Sequence, residues 1–443
     1  MLRLHEGLQD KFDKAVALLE EHDKFRIFTH YDADGISAAA VISRMFMKSS
    51  KGFHATFIHS FPEKIPDDLP IIFTDIGASH SKAISELSSP AIVLDHHRID
   101  EYPDEKENKI FINPHEFDID GAQEVSGGTL AFILAVSYDD NNWVKAIYGL
   151  SGAAADKQNI GGFKGVNKDI LDEALERDVL KVEEGIHIDG RGVREALLLS
   201  CDPYFPGISG RNNKIDNILA DIDLDPATPV DEIPGDKERK LTSLLALSLL
   251  KHGAPAFIVE SVRGRKYISP IIETSVDVLY KLLNACSRVS RPGLALSFCL
   301  GDSGAREVAE GLREDYRQNM VQRMMEFEKE GPVKLENIQY FYESKKARKG
   351  ELAGLGMLYL FDRSKPAFGL SKVNGRVDAS VRGTKELVER GLDLGKLCRE
   401  ISAEFGGSGG GHNIASGATV DEEHIDDFLK RMDEDVGKLL KDD

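Results

Sequence analysis

Apolar residues at Leu8, Phe12, Ala15, Leu18 and Leu19 recur with the period of a helix, and the rhythm changes at Phe25. Short apolar runs at 25–29, 55–59, 71–74, 91–94 and 109–113 are bounded by polar residues and predict buried strands. Helical patterns at 36–46 and 79–87 lie between them. Strands alternating with helices point to βαβ units and a parallel sheet, whose carboxyl ends share one rim. Three of these strands run straight into acid: Thr29 before Asp32 and Asp34, Thr74 before Asp75, Leu94 before Asp95. In an open α/β sheet that rim is where ligands bind.

Beyond Pro114 the pattern turns helical, at 127–137, 143–155 and 169–176. The stretch 199–236 is rich in Asp, Pro, Gly and Asn, the composition of a boundary, and its 202–207 run excludes regular structure. Helices are expected at 241–250, 274–287 and 305–330, the last stopped by Gly331-Pro332. Strands are then expected at 338–343, 356–361, 366–373 and 377–381, and helices at 384–390, 394–404 and from Glu422 onward. A glycine-rich loop is expected at 406–412.

With 443 residues the chain is too long for one core. The division expected is 1–200, a mainly helical middle region at 201–331, and 332–443. Its 41% hydrophobic and 30% charged content is that of a globular protein, and its apolar runs fall short of the roughly 18 residues that suggest a membrane span. The chain enters an amphipathic helix with no signal-peptide core, so a cytoplasmic location without membrane attachment is expected. Cys201, Cys286, Cys299 and Cys398 form no Cys-x-x-Cys, which argues against a disulfide framework or structural zinc. The net charge of −19 argues against a simple nucleic-acid coat, which is usually basic. It leaves a small substrate, a local basic groove, a basic partner, or a cation site whose ligands count as uncompensated charge.

His30-x-Asp32-x-Asp34 puts three donors within five residues, and alternate positions of an extended segment point the same way. Asp75 and the Asp95-His96-His97 cluster arrive at the same rim. Each motif alone has a plain structural explanation, since Asp and Gly form turns and caps. Together, in sequence and all at strand ends, they point to a metal site, because crowded carboxylates repel and a cation relieves the repulsion. Imidazole and carboxylate donors without thiolate suit Mn²⁺, Mg²⁺, Zn²⁺ or Co²⁺. Gly409-Gly410-Gly411-His412 is not a P-loop, as no Lys-Ser/Thr follows. Its glycines would let backbone approach an anion, and with Arg376 and Arg382 upstream a phosphate-binding wall is expected.

His30-Tyr-Asp32-Ala-Asp34-Gly35, Thr74-Asp75-Ile-Gly77, Asp95-His96-His97 and Gly-Ala-Ala-Ala-Asp156 resemble, in order, the four motifs of the DHH phosphoesterase superfamily. Gly410-Gly411-His412-x-x-Ala415-x-Gly417 resembles the signature of its DHHA1 domain. The 202–207 run and Asn284-Ala285-Cys286-Ser287-Arg288 resemble segments of archaeal RecJ-like proteins of the GINS-associated nuclease type.

The resemblance implies an α/β fold: a parallel-sheet DHH domain, a smaller α/β DHHA1 domain, a mainly helical middle region and an interdomain active-site cleft. It implies His30, Asp32 and Asp75 on one metal and Asp34, Asp75, His96 and Asp156 on a second, Mn²⁺ before Mg²⁺. His97 would face the scissile phosphate and Asp95 would orient it. Ser380, Arg382, Gly409, Gly410, Gly411, His412 and Arg288 would contact substrate. The activity implied is a two-metal exonuclease on single-stranded DNA or RNA in replication or repair. Only about 30 residues follow His412, too few for the OB-fold that ends the bacterial RecJ pattern. The alternatives are a nanoRNase- or pAp-type phosphatase acting on short oligonucleotides, and a replication scaffold that binds GINS.

Overall fold

A computed structural model describes residues 2, 4–99, 102, 106, 108–345 and 348–440. The chain divides into two compact units, Met1–Glu184 with Arg265–Glu314, and Gly185–Gly264 with Asp315–Asp443.

The first unit opens with α1 (Glu6–Glu20), β1 (Lys24–His30), α2 (Ala33–Lys48), β2 (Gly52–Ile58) and β3 (Ile71–Thr74). There follow α3 (Ser81–Ser85), β4 (Ala91–Leu94), β5 (Lys109–Ile112), α4 (Gly127–Tyr138) and α5 (Ala146–Ala155). The five strands form one sheet in the order β2-β1-β3-β4-β5, every neighbouring pair parallel. The chain leaves β1 for β2 on one side and returns to β3 on the other, so the strand order reverses at β1. That is the topological switch point where doubly wound sheets open a ligand crevice.

The core explains the packing around it. Ala38, Ala39 and Ala40 of α2 are fully buried, and small residues on that helix let α4 and α5 come close. Leu279, Leu282, Leu283 and Cys286 of Val276–Arg288 join the same apolar cluster. All four cysteines are free thiols, and among the described residues no helix is long and apolar enough to cross a membrane.

The second unit carries a six-stranded mixed sheet. Its order is Ser408–Gly411, Ala415–Asp421, Arg376–Arg382, Ala367–Val373, Gln339–Tyr342 and Val333–Lys334. On one face Val377, Ala379 and Val381 pack with Leu397, Ile401, Phe428 and Met432.

Several details depart from the sequence pattern. Of residues 356–361, expected as a strand, 356–359 close the helix Lys349–Tyr359, which buries Leu352, Ala353, Leu355, Gly356 and Tyr359, and 360–361 follow it as a turn. A short apolar run buried on all sides has no periodicity that separates strand from helix. The glycine-rich 406–412 stretch is not simply a loop, because Ser408–Gly411 pairs antiparallel with Ala415–Asp421. The helix expected at 79–87 is a 3-10 turn, Ala78–His80, followed by the short α3.

The 201–331 stretch divides between the units, with Arg265–Glu314 in the first and the remainder in the second. Helix Ser303–Glu330 runs across that division: Ala309 packs in the first unit's core, Met320, Met324 and Phe327 in the second's. The 202–207 segment is irregular, as expected, but it belongs to the second unit's core and not to a boundary. Tyr204 and Phe205 are fully buried, and the Tyr204 hydroxyl donates to Glu328 Oε2 at 2.7 Å. Phe205→Ala should therefore destabilise the protein by about 3–5 kcal/mol, the usual cost of a large-to-small core change. Urea denaturation measures this, and a loss below about 0.5 kcal/mol, typical of surface positions, would show the segment to be peripheral.

Candidate metal centre

The tight return from β1 to α2 builds the first wall. Asp32 caps α2, accepting from the Gly35 N–H at 3.1 Å, while Thr29 Oγ1 donates to the Gly35 carbonyl at 2.7 Å. A Cβ on Gly35 would lie 2.2 Å from the His30 carbonyl, so this turn needs glycine. The turn leaves His30 Nδ1 2.9 Å from Asp32 Oδ2 and 3.4 Å from Asp75 Oδ2. Asp75 leaves β3 with φ of 57°, a left-handed backbone that Asp tolerates better than most residues.

His96 comes off β4. Its Nδ1–H donates to the Gly121 carbonyl at 2.6 Å, which turns Nε2 towards the acids. From Nε2 the distances are 3.2 Å to Asp75 Oδ1, 3.3 Å to Asp156 Oδ2 and 3.7 Å to Asp34 Oδ2. Asp34 is held by the start of α4: its carboxylate accepts from Ser126 Oγ at 2.8 Å and from the N–H groups of Gly127 and Gly128 at 2.7 and 2.9 Å. These are first-turn donors that the helix itself leaves unpaired. Asp95 is buried and supports His97. It accepts from His97 Nδ1 at 2.8 Å and from the Ala78 N–H at 2.7 Å, leaving the imidazole half exposed.

The electrostatics follow from crowding. Burial and the Asp75 charge push Asp34 up to about 7, and burial with the Asp34 charge raises Asp156 well above the carboxylate range. Burial would also raise Asp75, but His30 and His96 outweigh it and hold Asp75 below the usual range. Burial opposes the charged form of His30, yet the Asp32 and Asp75 carboxylates bring it to about 11. His96 is raised against burial by Asp75, Asp156 and Asp34, and His97 by Asp95.

The donor set fits divalent cations. His30, Asp32 and Asp75 form one group with ligand atoms within 4.8 Å of one another; Asp34, His96 and Asp156 form a second; Asp75, His96 and His97 form a third. His30 Nδ1, both Asp75 oxygens and His96 Nε2 are buried without a hydrogen bond. Such atoms are costly unless a ligand satisfies them.

Of the expected substrate contacts, Arg288 ends its helix exposed in the first unit. The others lie in the second unit, where Ser380 and Arg382 share one strand and Gly409, Gly410 and Gly411 the edge strand beside Ala415–Asp421. The His412 N–H donates to the Ala415 carbonyl at 2.9 Å. Part of the glycine run is structural, since a Cβ on Gly409 would lie 2.4 Å from the Cys398 carbonyl. Several residues of the centre were missed in the sequence. Ser126, Gly127 and Gly128 hold Asp34, Gly121 orients His96, and Gln158 Nε2 donates to the Gly121 carbonyl at 3.0 Å. Ser126-Gly-Gly-Thr129 carries a visible capping signal, but nothing local shows that Asp34 meets it.

Residues 24–154 match the family model of the DHH family, N-terminal domain, and residues 337–438 match the DHHA1 domain. The chain carries a DHH-family N-terminal domain and a DHHA1 domain. An uncharacterised protein of Methanocaldococcus jannaschii is 29% identical over 448 residues, covering 98% of both chains. RecJ of Thermus thermophilus, solved with Mn²⁺, superimposes with a TM-score of 0.57 at 17% identity. That match covers 99% of this chain and 56% of the Thermus protein, so this chain spans little more than half of that RecJ. CDC45 of Entamoeba histolytica gives a TM-score of 0.62 at 10% identity, covering 97% of this chain and 98% of its own. These likenesses show a RecJ-like fold, and the acidic rim described above lies within and just beyond the DHH match.

Close packing in the centre supplies a test. A Cβ on Gly152 would lie 2.1 Å from Asp34 Oδ1. Gly152→Ala should therefore weaken Mn²⁺ binding about 10–100-fold, as loss of groups that orient metal ligands does. Calorimetric Mn²⁺ titration reads this, and wild-type affinity in a folded variant would remove Asp34 from the binding set.

Proposed function

We propose that this DHH protein is a metal-dependent phosphodiesterase that trims single-stranded DNA or RNA from an end. What carries the reading is the set of buried, unsatisfied donors at the switch point: His30 Nδ1, Asp75 Oδ1 and Oδ2, and His96 Nε2. His30, Asp32 and Asp75 would hold one cation and Asp34, Asp75, His96 and Asp156 a second, with Asp75 shared. Mn²⁺, present in the Thermus RecJ structure, and Mg²⁺ both suit these donors. Bound divalent ions would supply Lewis acidity at the phosphoryl group and an attacking water at neutral pH.

The chain's own residues do the rest. Asp95 pins His97 Nδ1, so the half-exposed ring turns Nε2 outward, towards an incoming phosphoryl oxygen. Asp95 raises the pKa of His97, which favours the protonated imidazole that would donate as charge develops. Arg382 offers a planar fork suited to phosphate, with Ser380, Gly409, Gly410, Gly411, His412 and Arg288 as further substrate contacts. A cytoplasmic role in replication or repair fits such an activity. The CDC45-like fold supports a second reading, a scaffold that also binds GINS; the complete donor set favours retained chemistry in either case.

Asp75→Ala should abolish Mn²⁺-dependent cleavage of end-labelled single strands, by about 10²–10³-fold or more, with the circular dichroism spectrum unchanged. Undiminished turnover in that variant would sink the assignment. The same digestion run on a 2-mer and a 20-mer, as DNA and as RNA, separates the candidates. Faster initial cleavage of the 20-mer supports the exonuclease, and preference for the 2-mer supports the short-oligonucleotide phosphatase.

A further inference from the structure

The end of α5 fixes two side chains together. Its last turn closes in a common helix-ending pattern, with the Lys157 N–H donating to the Ala154 carbonyl at 3.0 Å and the Gln158 N–H to the Ala153 carbonyl at 2.9 Å. Lys157 takes the left-handed backbone that this pattern needs, with φ of 63°. Asp156 caps the helix and faces His96, and Gln158, two residues on, is 5% exposed.

The Gln158 amide is engaged at both ends. Nε2 donates to the Gly121 carbonyl at 3.0 Å and to the Val125 carbonyl at 3.1 Å, and Oε1 accepts from Asn167 Nδ2 at 2.6 Å. Two carbonyls can be met only by the NH₂ end of an amide, so its partners fix the orientation of Gln158. Asn167, from the helix Gly165–Glu176, is fully buried, and its N–H donates to the Glu124 carbonyl at 2.8 Å. Three carbonyls of the 121–125 segment are thus held by this pair of residues.

Two of those carbonyls lead directly to candidate metal ligands. Gly121 accepts from His96 Nδ1, and a Cβ on Gly121 would lie 2.0 Å from the His96 carbonyl. Val125 immediately precedes Ser126, Gly127 and Gly128, which hold Asp34. Asp34, His96 and Asp156 are the donors of one candidate cation group. The group of His30, Asp32 and Asp75 has a different support at the β1–α2 turn, where Asp32 accepts from the Gly35 N–H.

From this we infer that Gln158, anchored by Asn167, is a positioning residue for the second cation alone. Through Gly121 and Val125 it sets His96 and Asp34 at the spacing that Asp156 completes. A clamp that served only the 121–125 segment would meet the same carbonyls, so the two roles part in their effect on metal binding. This inference rests on the proposed two-cation centre and adds which residue outside the ligands governs one half of it.

The test is Mn²⁺ binding to the full chain, read by equilibrium dialysis and by electron paramagnetic resonance of the bound ions. The wild type should hold two Mn²⁺ ions per chain, spin-coupled through the shared Asp75. Gln158→Met keeps the length of the side chain and removes both donors. It should weaken the second ion about 10–100-fold, the usual cost of losing a group that orients a metal ligand, and leave the first within about twofold. The spectrum should change with it, from a coupled pair to an isolated ion. Asn167→Leu should give the same selective loss in smaller degree, and serves alone should Gln158→Met fold poorly by its thermal transition. Wild-type affinity for both ions in the folded variants overturns the inference. So does equal weakening of both, which would mark a role in the fold alone, and so does a wild type that binds a single ion. Selective loss of the second ion in a chain that cleaves no strand would overturn the exonuclease reading and leave this inference standing.

Discussion

Asp34, Asp75 and Asp156 share one crevice with Asp32 at its mouth, and their mutual repulsion is the constraint on which the first unit depends. Two like charges at 4 Å cost about 4 kcal/mol even at an effective dielectric of 20. The fold meets that cost locally. The start of α4 and the Ser126 hydroxyl satisfy Asp34, and His30 and His96 face Asp75. Where carboxylates and backbone approach most closely the chain carries glycine, at positions 35, 121, 127, 128 and 152. The remaining repulsion favours protonated carboxyls, with Asp34 pushed up to about 7 and Asp156 well above its ordinary range. Divalent cations displacing those protons would satisfy the same charges more completely.

The centre owes its rigidity to its supports. Its side chains project from the ends of β1, β3 and β4, from the first turn of α2 and from the end of α5. Asp34, Asp95 and His96 are each braced by hydrogen bonds to backbone groups of other segments. A site on strand and helix ends keeps its geometry better than one on a free loop. The second unit follows the same rule, since Ser380, Arg382 and the glycine strand belong to one sheet whose other face is apolar core. The proposed chemistry thus divides between a unit that concentrates negative charge and a unit with polar groups suited to nucleotides.

Individual elements show where reading from sequence succeeds. The runs at 71–74 and 91–94 match β3 and β4 residue for residue, because a buried parallel strand is an uninterrupted apolar stretch with polar ends. The ligand candidates were legible for the same reason: parallel strands put all their exits on one rim, so acids after strands converge. The failures share a cause as well. Residues 356–361 look like a strand because an all-round buried helix has no polar stripe, and 408–411 look like a loop because glycine conceals pairing. The 199–236 stretch looks like a boundary because Pro and Gly mark turns whether or not Tyr204 and Phe205 are buried.

The amino-acid sequence by itself determined the alternation of strand and helix, the acidic exits and the chemical identity of the donors. All of these follow from local periodicity and from side-chain type. Only the tertiary structure decided that Asp34 is held by Ser126, Gly127 and Gly128, more than 90 residues away, and that Asp156 reaches His96 across the crevice. It alone brought Lys349 and Asp378 to the lining of one open recess. The physical reason is that these contacts join segments whose separation along the chain carries no local pattern. Their distances are set by how α4, α5 and the second sheet pack, and packing is a property of the whole core.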